Sequence, residues 1–325
     1  MTSRERVQAV LNGKKPDRQP FKCWMDRNRM AELDKKLGEE FRITHYGADV
    51  LEAFPWIDWS CGLPTHYQTD EKTSWQTAPT LERMEDAYTL KFPQVKGNED
   101  EVCGGFNLAR RTFPDVAIWA MIITPLDCFF NLRMMENAMY DFFDYPEECE
   151  YIINEYSKRL YDIVCALDRC DVDALYLAGD ICSSIGPMFS EDMLRKYCFE
   201  PIKPAIDKAH ELGLPVFYHT DGAVEKVLPL IVEYGIDGIN PLQPTINDCA
   251  AFAEKYGDKL MLYCGIDNCF AIPDGTPESV REHILSQYNI LGKGRGLIFS
   301  SHDIPDYVPQ ENVDAMVEAI KSIKP

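Results

Sequence analysis

The residues best suited to chemistry share one position: the loop just after a short apolar run. The sharpest case is Tyr218-His219-Thr220-Asp221-Gly222. A histidine and an aspartate two apart, on a loop leaving a strand, can point into one site. Gly222 lets the chain turn tightly behind them. A neutral imidazole with a carboxylate suits zinc. The same pair suits general-base work, with the aspartate orienting the histidine, or a hydrogen bond that simply fastens the loop. All three readings stay open on the motif alone.

Other polar residues repeat the placement. Ser300-Ser301-His302-Asp303-Ile304-Pro305 follows the last apolar run, and Ala178-Gly179-Asp180-Ile181-Cys182 an earlier one. Asn240-Pro241-Leu242-Gln243 offers amide groups that can bind substrate. Cys264 closes a run and precedes the polar loop Gly265-Ile266-Asp267-Asn268. A thiol there is a ligand, a nucleophile or a buried small side chain. On barrel geometry His302 shares a face with His219, with Asp180 and Cys264 as possible neighbours, and a His, Asp, His set with an optional Cys would make a zinc site with an open position. Asp180, His219 and Asp26 are the candidates for handling protons. Asn240, Gln243, Asp267 and Trp24 are the candidates for holding substrate.

These residues converge only if the strand ends share a face. From Asp173 onward one unit recurs: a short apolar run, a polar loop, an amphipathic helix. The runs are Ala174–Ala178, Pro215–Tyr218, Gly238–Ile239, Leu260–Tyr263 and Leu297–Phe299. Helices are expected at Glu191–Leu212, Val224–Tyr234, Ile246–Lys255, Pro277–Leu291 and Gln310–Ile323, with Ser190, Asn247 and Thr276-Pro277 at their starts. Strands separated by helices imply a parallel sheet. In a closed β/α barrel the carboxyl ends of the strands form the face that carries chemistry. The expectation is α/β, a single TIM-like (β/α)8 barrel over residues 1–325.

The N-terminal half is less regular. Ser3–Gly13 reads as a short helix, Phe21–Trp24 as a first strand ending at Asp26 and Arg27, and Ala117–Thr124 as another. Phe129–Tyr140 and Pro146–Asp168 read as helices. Residues 45–115 are rich in aromatics, including Trp56, Trp59 and Trp75, with hairpin alternation over Tyr67–Leu90. This stretch is expected to be an excursion, a lid or subdomain.

Composition narrows the function classes. The 325-residue chain carries a net charge of −20 with a hydrophobic fraction of 46%. That charge argues against nucleic acid and against an anionic membrane surface, both of which need a basic footprint. No apolar run approaches the ~20 residues of a membrane span. Met1-Thr2-Ser3-Arg4-Glu5-Arg6 starts a charged helix and not a signal peptide, so a cytoplasmic location is expected. The 12 cysteines form no C-x-x-C pair, so reduced thiols are expected. Phosphate-loop, dinucleotide-binding, H-E-x-x-H and G-x-S-x-G motifs are absent.

The chain resembles the uroporphyrinogen decarboxylase superfamily, which also holds corrinoid-dependent methyltransferases. The likeness rests on Gly179-Asp180 with Gly186-Pro187 and Ser190, on Pro215–Gly222, on Gly235 through Gln243, on Gly265-Ile266-Asp267, and on His302-Asp303-Ile304 leading to Val308 through Asn312. Arg4 through Pro20 also looks like the family. The resemblance implies a TIM-like barrel.

The decarboxylases carry an R-Q-A-G-R signature that grips carboxylates. Here that region reads Lys22-Cys23-Trp24-Met25-Asp26-Arg27, and the signature is missing. The methyltransferase branch carries H-x-C and a later Cys, which hold zinc. His219 matches the first; Asp221 and His302 stand in place of the two cysteines. A His, Asp, His set is harder than a thiolate site and better suited to polarising an oxygen. The resemblance therefore implies a zinc-assisted transfer of a methyl group from a small methylated substrate to cobalamin on a separate corrinoid protein. An O-methyl ether such as a methoxy aromatic fits best, and a homodimer is allowed. The alternatives are a metal-free decarboxylase of a smaller acid and a non-catalytic binding module.

Overall fold

The computed structural model describes residues 1–69, 74–300 and 303–325. Its strands, in chain order, are β1 (Val50–Ala53), β2 (His66–Thr69), β3 (Ser74–Ala78), β4 (Ala117–Ile123), β5 (Ala174–Ala178), β6 (Cys182–Ser183), β7 (Gly186–Pro187), β8 (Val216–His219), β9 (Gly238–Asn240), β10 (Met261–Gly265) and β11 (Leu297–Ser300). A seven-stranded parallel sheet runs β1-β4-β5-β8-β9-β10-β11. The segment 21–25 joins its two edges. Phe21 and Met25 bridge in parallel to Phe299 and Ile304, and Asp49 N–H donates to the Phe21 carbonyl at 2.7 Å. The result is a TIM-like barrel with helices outside.

Strand side chains alternate between two packing environments, as the period of 2 demands. Val50, Ala117, Trp119, Ala174, Tyr176, Phe217, Met261, Tyr263 and Ile298 fill the interior, with Val7 and Val10 of the first helix closing one end. Leu51, Ile118, Leu175, Leu177, Tyr218, Leu262, Cys264 and Phe299 face the helices instead. The Trp119 ring sits 4.3 Å from Phe217 and 4.5 Å from Tyr263, centroid to centroid. The lower barrel is thus a packed core, and the open end lies at the carboxyl ends of the strands.

Several boundaries differ from the sequence expectations. β1 falls inside the stretch expected as an excursion, so the departure from the barrel spans only about 54–98 and contains the antiparallel pair β2–β3. The helix expected at Phe129–Tyr140 is two, Pro125–Arg133 and Met135–Asp144, broken where Met134 takes φ 64°. Val224–Tyr234 is helical only over Leu228–Glu233. Ser190 and Thr276 cap as expected. Asn247 does not: Asp248 caps that helix, accepting from Ala250 and Ala251 N–H. Within Glu191–Glu211 the segment Leu194–Phe199 is π-helical. Pro201 and Pro204 have no N–H to return to the carbonyls four residues back, which loosens the ladder there. No helix among the described residues is long and apolar enough to cross a membrane.

Candidate active site

His219 ends β8, paired in register with Ala178 of β5 and Asn240 of β9. It stands two residues beyond the inward Phe217, so alternation aims it inward. Its Nδ1 lies 2.9 Å from Asn240 Oδ1, which also accepts from Tyr176 Oη at 2.6 Å. The Asn240 amide nitrogen donates to the Tyr263 carbonyl and to Ser300 Oγ. A carbonyl only accepts, so this orientation of the amide is the one the contacts require. Asn240 Oδ1 is therefore an acceptor, and His219 Nδ1 carries the proton. In the neutral ring the lone pair is then on Nε2.

Nε2 faces a carboxylate. Asp180 Oδ1 lies 3.8 Å away, and the Asp180 side chain is 46% exposed against 12% for His219. Ligand atoms of Asp180, His219 and Asp221 all lie within 4.8 Å of one another. The loops that carry them interlock. Asp221 N–H donates to Asp180 Oδ1 at 3.1 Å, and Ile181 N–H to Thr220 Oγ1 at 3.0 Å. Gly222 has φ +94°, and a Cβ there would meet the Ser183 carbonyl oxygen at 2.4 Å. Only glycine fits that close approach.

The residues named from sequence divide by what they touch. Asp180, His219 and Asp221 come together. His302 lies outside the described residues. Cys264 does not join them: it faces the helix layer, fully buried, and desolvation pushes its thiol well up. A one-residue step on β10 decides this, because its neighbour Tyr263 points inward. Asn240 is buried and its amide is fully engaged within the protein, so it positions His219 instead of contacting substrate. Gln243 Oε1 accepts from Gly222 N–H at 2.7 Å and pins the loop. Asp267 accepts from Cys269, Phe270 and Ala271 N–H, capping its own loop. Asp26 caps the helix Arg27–Leu37 through Asn28 and Arg29 N–H. Trp24 lies near two cations, with Lys22 Nζ 5.1 Å and Arg42 Cζ 4.8 Å from its ring.

Other residues of the site were not named from sequence. Lys22 Nζ pairs with Glu52 Oε1 at 2.6 Å inside the barrel, both side chains under 10% exposed, and Tyr263 Oη donates to the same oxygen at 3.0 Å. Asp127 sits behind Asp180. Its Oδ2 accepts from Thr124 Oγ1 at 2.5 Å and its Oδ1 from Asp180 N–H at 3.4 Å. Burial, reinforced by the Asp180 charge, pushes its carboxyl up to about 7 despite the Thr124 hydrogen bond. A Cβ on Gly179 would lie 2.7 Å from Asp127 Oδ2, so the Gly179-Asp180 turn rests on this carboxyl. The signal for Tyr176 was its inward parity in Ala174–Ala178. For Asp127 it was position, just past a strand end.

The model of the uroporphyrinogen decarboxylase (URO-D) family matches residues 56–323. The chain belongs to this family. The matched span holds Asp127, Asp180, His219 and Asp221 and leaves Lys22 through Arg27 outside it. No curated protein matches the sequence. Among solved structures, a methyltransferase from Methanosarcina mazei superposes with a TM-score of 0.71 at 17% identity, over 98% of each chain. That likeness is one of fold. A sugar phosphate isomerase/epimerase from Parabacteroides distasonis aligns over 93% of this chain and 94% of its own at 10% identity, with a TM-score of 0.43, too low to bear on the site.

Proposed function

We propose that this protein is a corrinoid-dependent methyltransferase that takes a methyl group from a small O-methyl substrate, such as a methoxy aromatic, and delivers it to cobalamin on a separate corrinoid protein. One observation carries the reading. Asn240 fixes the proton on His219 Nδ1 and leaves the Nε2 lone pair directed at Asp180, with Asp221 in the same group. A metal-binding histidine is usually held in this way, with its other nitrogen donating to an oxygen.

The donor set fits zinc. Nitrogen and oxygen ligands about 2.1 Å from a tetrahedral ion stand roughly 3.4 Å apart. The Asp180 and His219 atoms are 3.8 Å apart, a gap that small side-chain rotations close. Zinc, when bound, supplies Lewis acidity toward an ether oxygen. The protein's own residues do the rest. Asn240 and Tyr176 hold the imidazole in one tautomer. Asp180 and Asp221 place two carboxyl groups beside His219. The packed layer of Trp119, Phe217 and Tyr263 closes the barrel beneath and keeps water from entering from below. Trp56 and Trp75, 55% and 40% exposed, lie in the departure that follows β1.

The test is methyl transfer from a methoxy aromatic to reduced cobalamin, followed by the cobalamin absorbance change, with zinc-loaded protein. Transfer that requires zinc and His219 supports the reading. Decarboxylation of an acid by metal-free protein, with no transfer, would overturn it.

A further inference from the structure

The opposite end of the barrel holds a cleft. It has a volume of about 450 Å³ and lies beneath the start of β11. Lys14, Lys15, Lys293 and Arg295 line it together with Tyr288, Val10, Leu297 and the glycine-rich run 292–296, and no aspartate or glutamate side chain does. On a chain with a net charge of −20, a cleft whose charged side chains are all cations, with the last residue Pro325 also on its lining, is a local reversal of the molecule's field. Among the described residues Lys14, Lys15 and Lys293 form no ion pair; Arg295 pairs with Asp237 at 3.2 Å.

The backbone that presents these cations is fixed. Lys14 N–H donates to the Ala9 carbonyl at 2.7 Å and Arg295 N–H to the Gly257 carbonyl at 2.5 Å. A Cβ on Gly294 would lie 2.4 Å from the Gly257 oxygen, and one on Gly296 would lie 2.8 Å from Val10. The glycines serve this packing. They set the Lys293 Cα opposite the turn that carries Lys14 and Lys15. Tyr288 packs on Gly292, whose added Cβ would meet its ring at 2.6 Å, and gives the cleft one aromatic wall.

We infer that this cleft binds a multiply charged phosphate-bearing anion, with the phosphates held by Lys14, Lys15 and Lys293. Compact ammonium groups suit phosphate oxygens as point charges. Tyr288 offers a stacking surface if the anion carries a base. The site is independent of the methyl-transfer reading and lies across the barrel from His219.

Isothermal titration of the metal-free protein with sodium tripolyphosphate, and separately with ATP, tests the inference. Tripolyphosphate should bind with a submillimolar constant that weakens as salt rises through the range where the screening length falls below ~10 Å. The Lys14→Glu/Lys293→Glu double variant should weaken it at least about tenfold, or about 1.4 kcal/mol. Both lysines are exposed, so an unchanged melting temperature separates this from misfolding. His219→Ala should bind as the wild type does. ATP binding more tightly than tripolyphosphate would support a nucleoside phosphate on Tyr288, and equal affinity would support recognition of the phosphates alone. No heat with either anion, or equal affinity in the double variant, would overturn the inference.

Discussion

Asn240 Oδ1 accepts from His219 Nδ1 at 2.9 Å and from Tyr176 Oη at 2.6 Å. The strands on either side of β8 thereby set the tautomer of the neutral imidazole. The amide cannot reverse without facing its N–H groups toward the Tyr176 hydroxyl and the imidazole while its oxygen confronts the Tyr263 carbonyl. The tautomer is therefore a property of the barrel interior, set before any ligand arrives.

Replacing Asn240 by alanine should weaken zinc binding without removing a ligand. Loss of such a supporting hydrogen bond typically costs about 10–100-fold in metal affinity. Competition with a chromophoric chelator measures it. Asn240→Asp keeps an acceptor for Nδ1 and should lose less affinity than Asn240→Ala. Equal loss in both would mean that the acceptor at Nδ1 is not what matters.

Cys264→Ala should leave zinc content unchanged. The thiol faces the helix layer and is buried, so the cost should fall on folding, on the order of 1 kcal/mol for a small buried side chain. Metal analysis and urea unfolding on the same preparation separate the two effects.

The Lys22–Glu52 pair makes a stability prediction. Lys22→Met strands the Glu52 carboxylate in the barrel and should cost about 3–5 kcal/mol. The Lys22→Met/Glu52→Leu double variant should recover most of that, because a buried pair replaced by apolar groups is often neutral. Denaturant midpoints of the three proteins test it. Failure of the double variant to recover would show that the pair is needed for packing and not merely for charge balance.

Asp127 makes stability depend on pH. Its carboxyl is raised to about 7 in the fold from an ordinary 3.8. Folding therefore takes up a proton between those values, and the unfolded state holds fewer protons there. Its contribution is most favourable below about 4 and declines as pH rises to about 7, by on the order of 2–4 kcal/mol. Metal-free wild type compared with Asp127→Asn isolates this slope, since other groups titrate alike in both. The wild type should lose stability relative to the variant across that interval.

Much of the barrel was legible because its repeating unit has a strong period. Ala174–Ala178 and Pro277–Leu291 are found with the bounds expected. β1 was hidden because it is short and sits in an aromatic-rich stretch, where Val50-Leu51-Glu52-Ala53 shows no clean alternation. The convergence of Asp180, His219 and Asp221 followed from strand ends sharing a face. The direction of Cys264 did not, because reversing the phase of a strand leaves its composition unchanged while exchanging its faces. Asn240 and Gln243 were recognised as site residues, but as substrate contacts. Their actual partners, His219 Nδ1 and Gly222 N–H, are fixed by neighbouring strands and loops that the sequence does not align. Asp127 owes its raised carboxyl to burial and to the Asp180 charge from another strand, against the Thr124 hydrogen bond, so only its position just past a strand end marked it in the sequence.

The central claim is that His219, with Asp180 and Asp221, holds a zinc ion. Zinc content per chain, measured by plasma mass spectrometry after loading and exhaustive dialysis, tests it most directly, in wild type and in His219→Ala. The account predicts about one zinc per wild-type chain and its loss in the variant, with the fold intact by circular dichroism. Wild type without stoichiometric zinc, or a variant that retains it, would contradict the account.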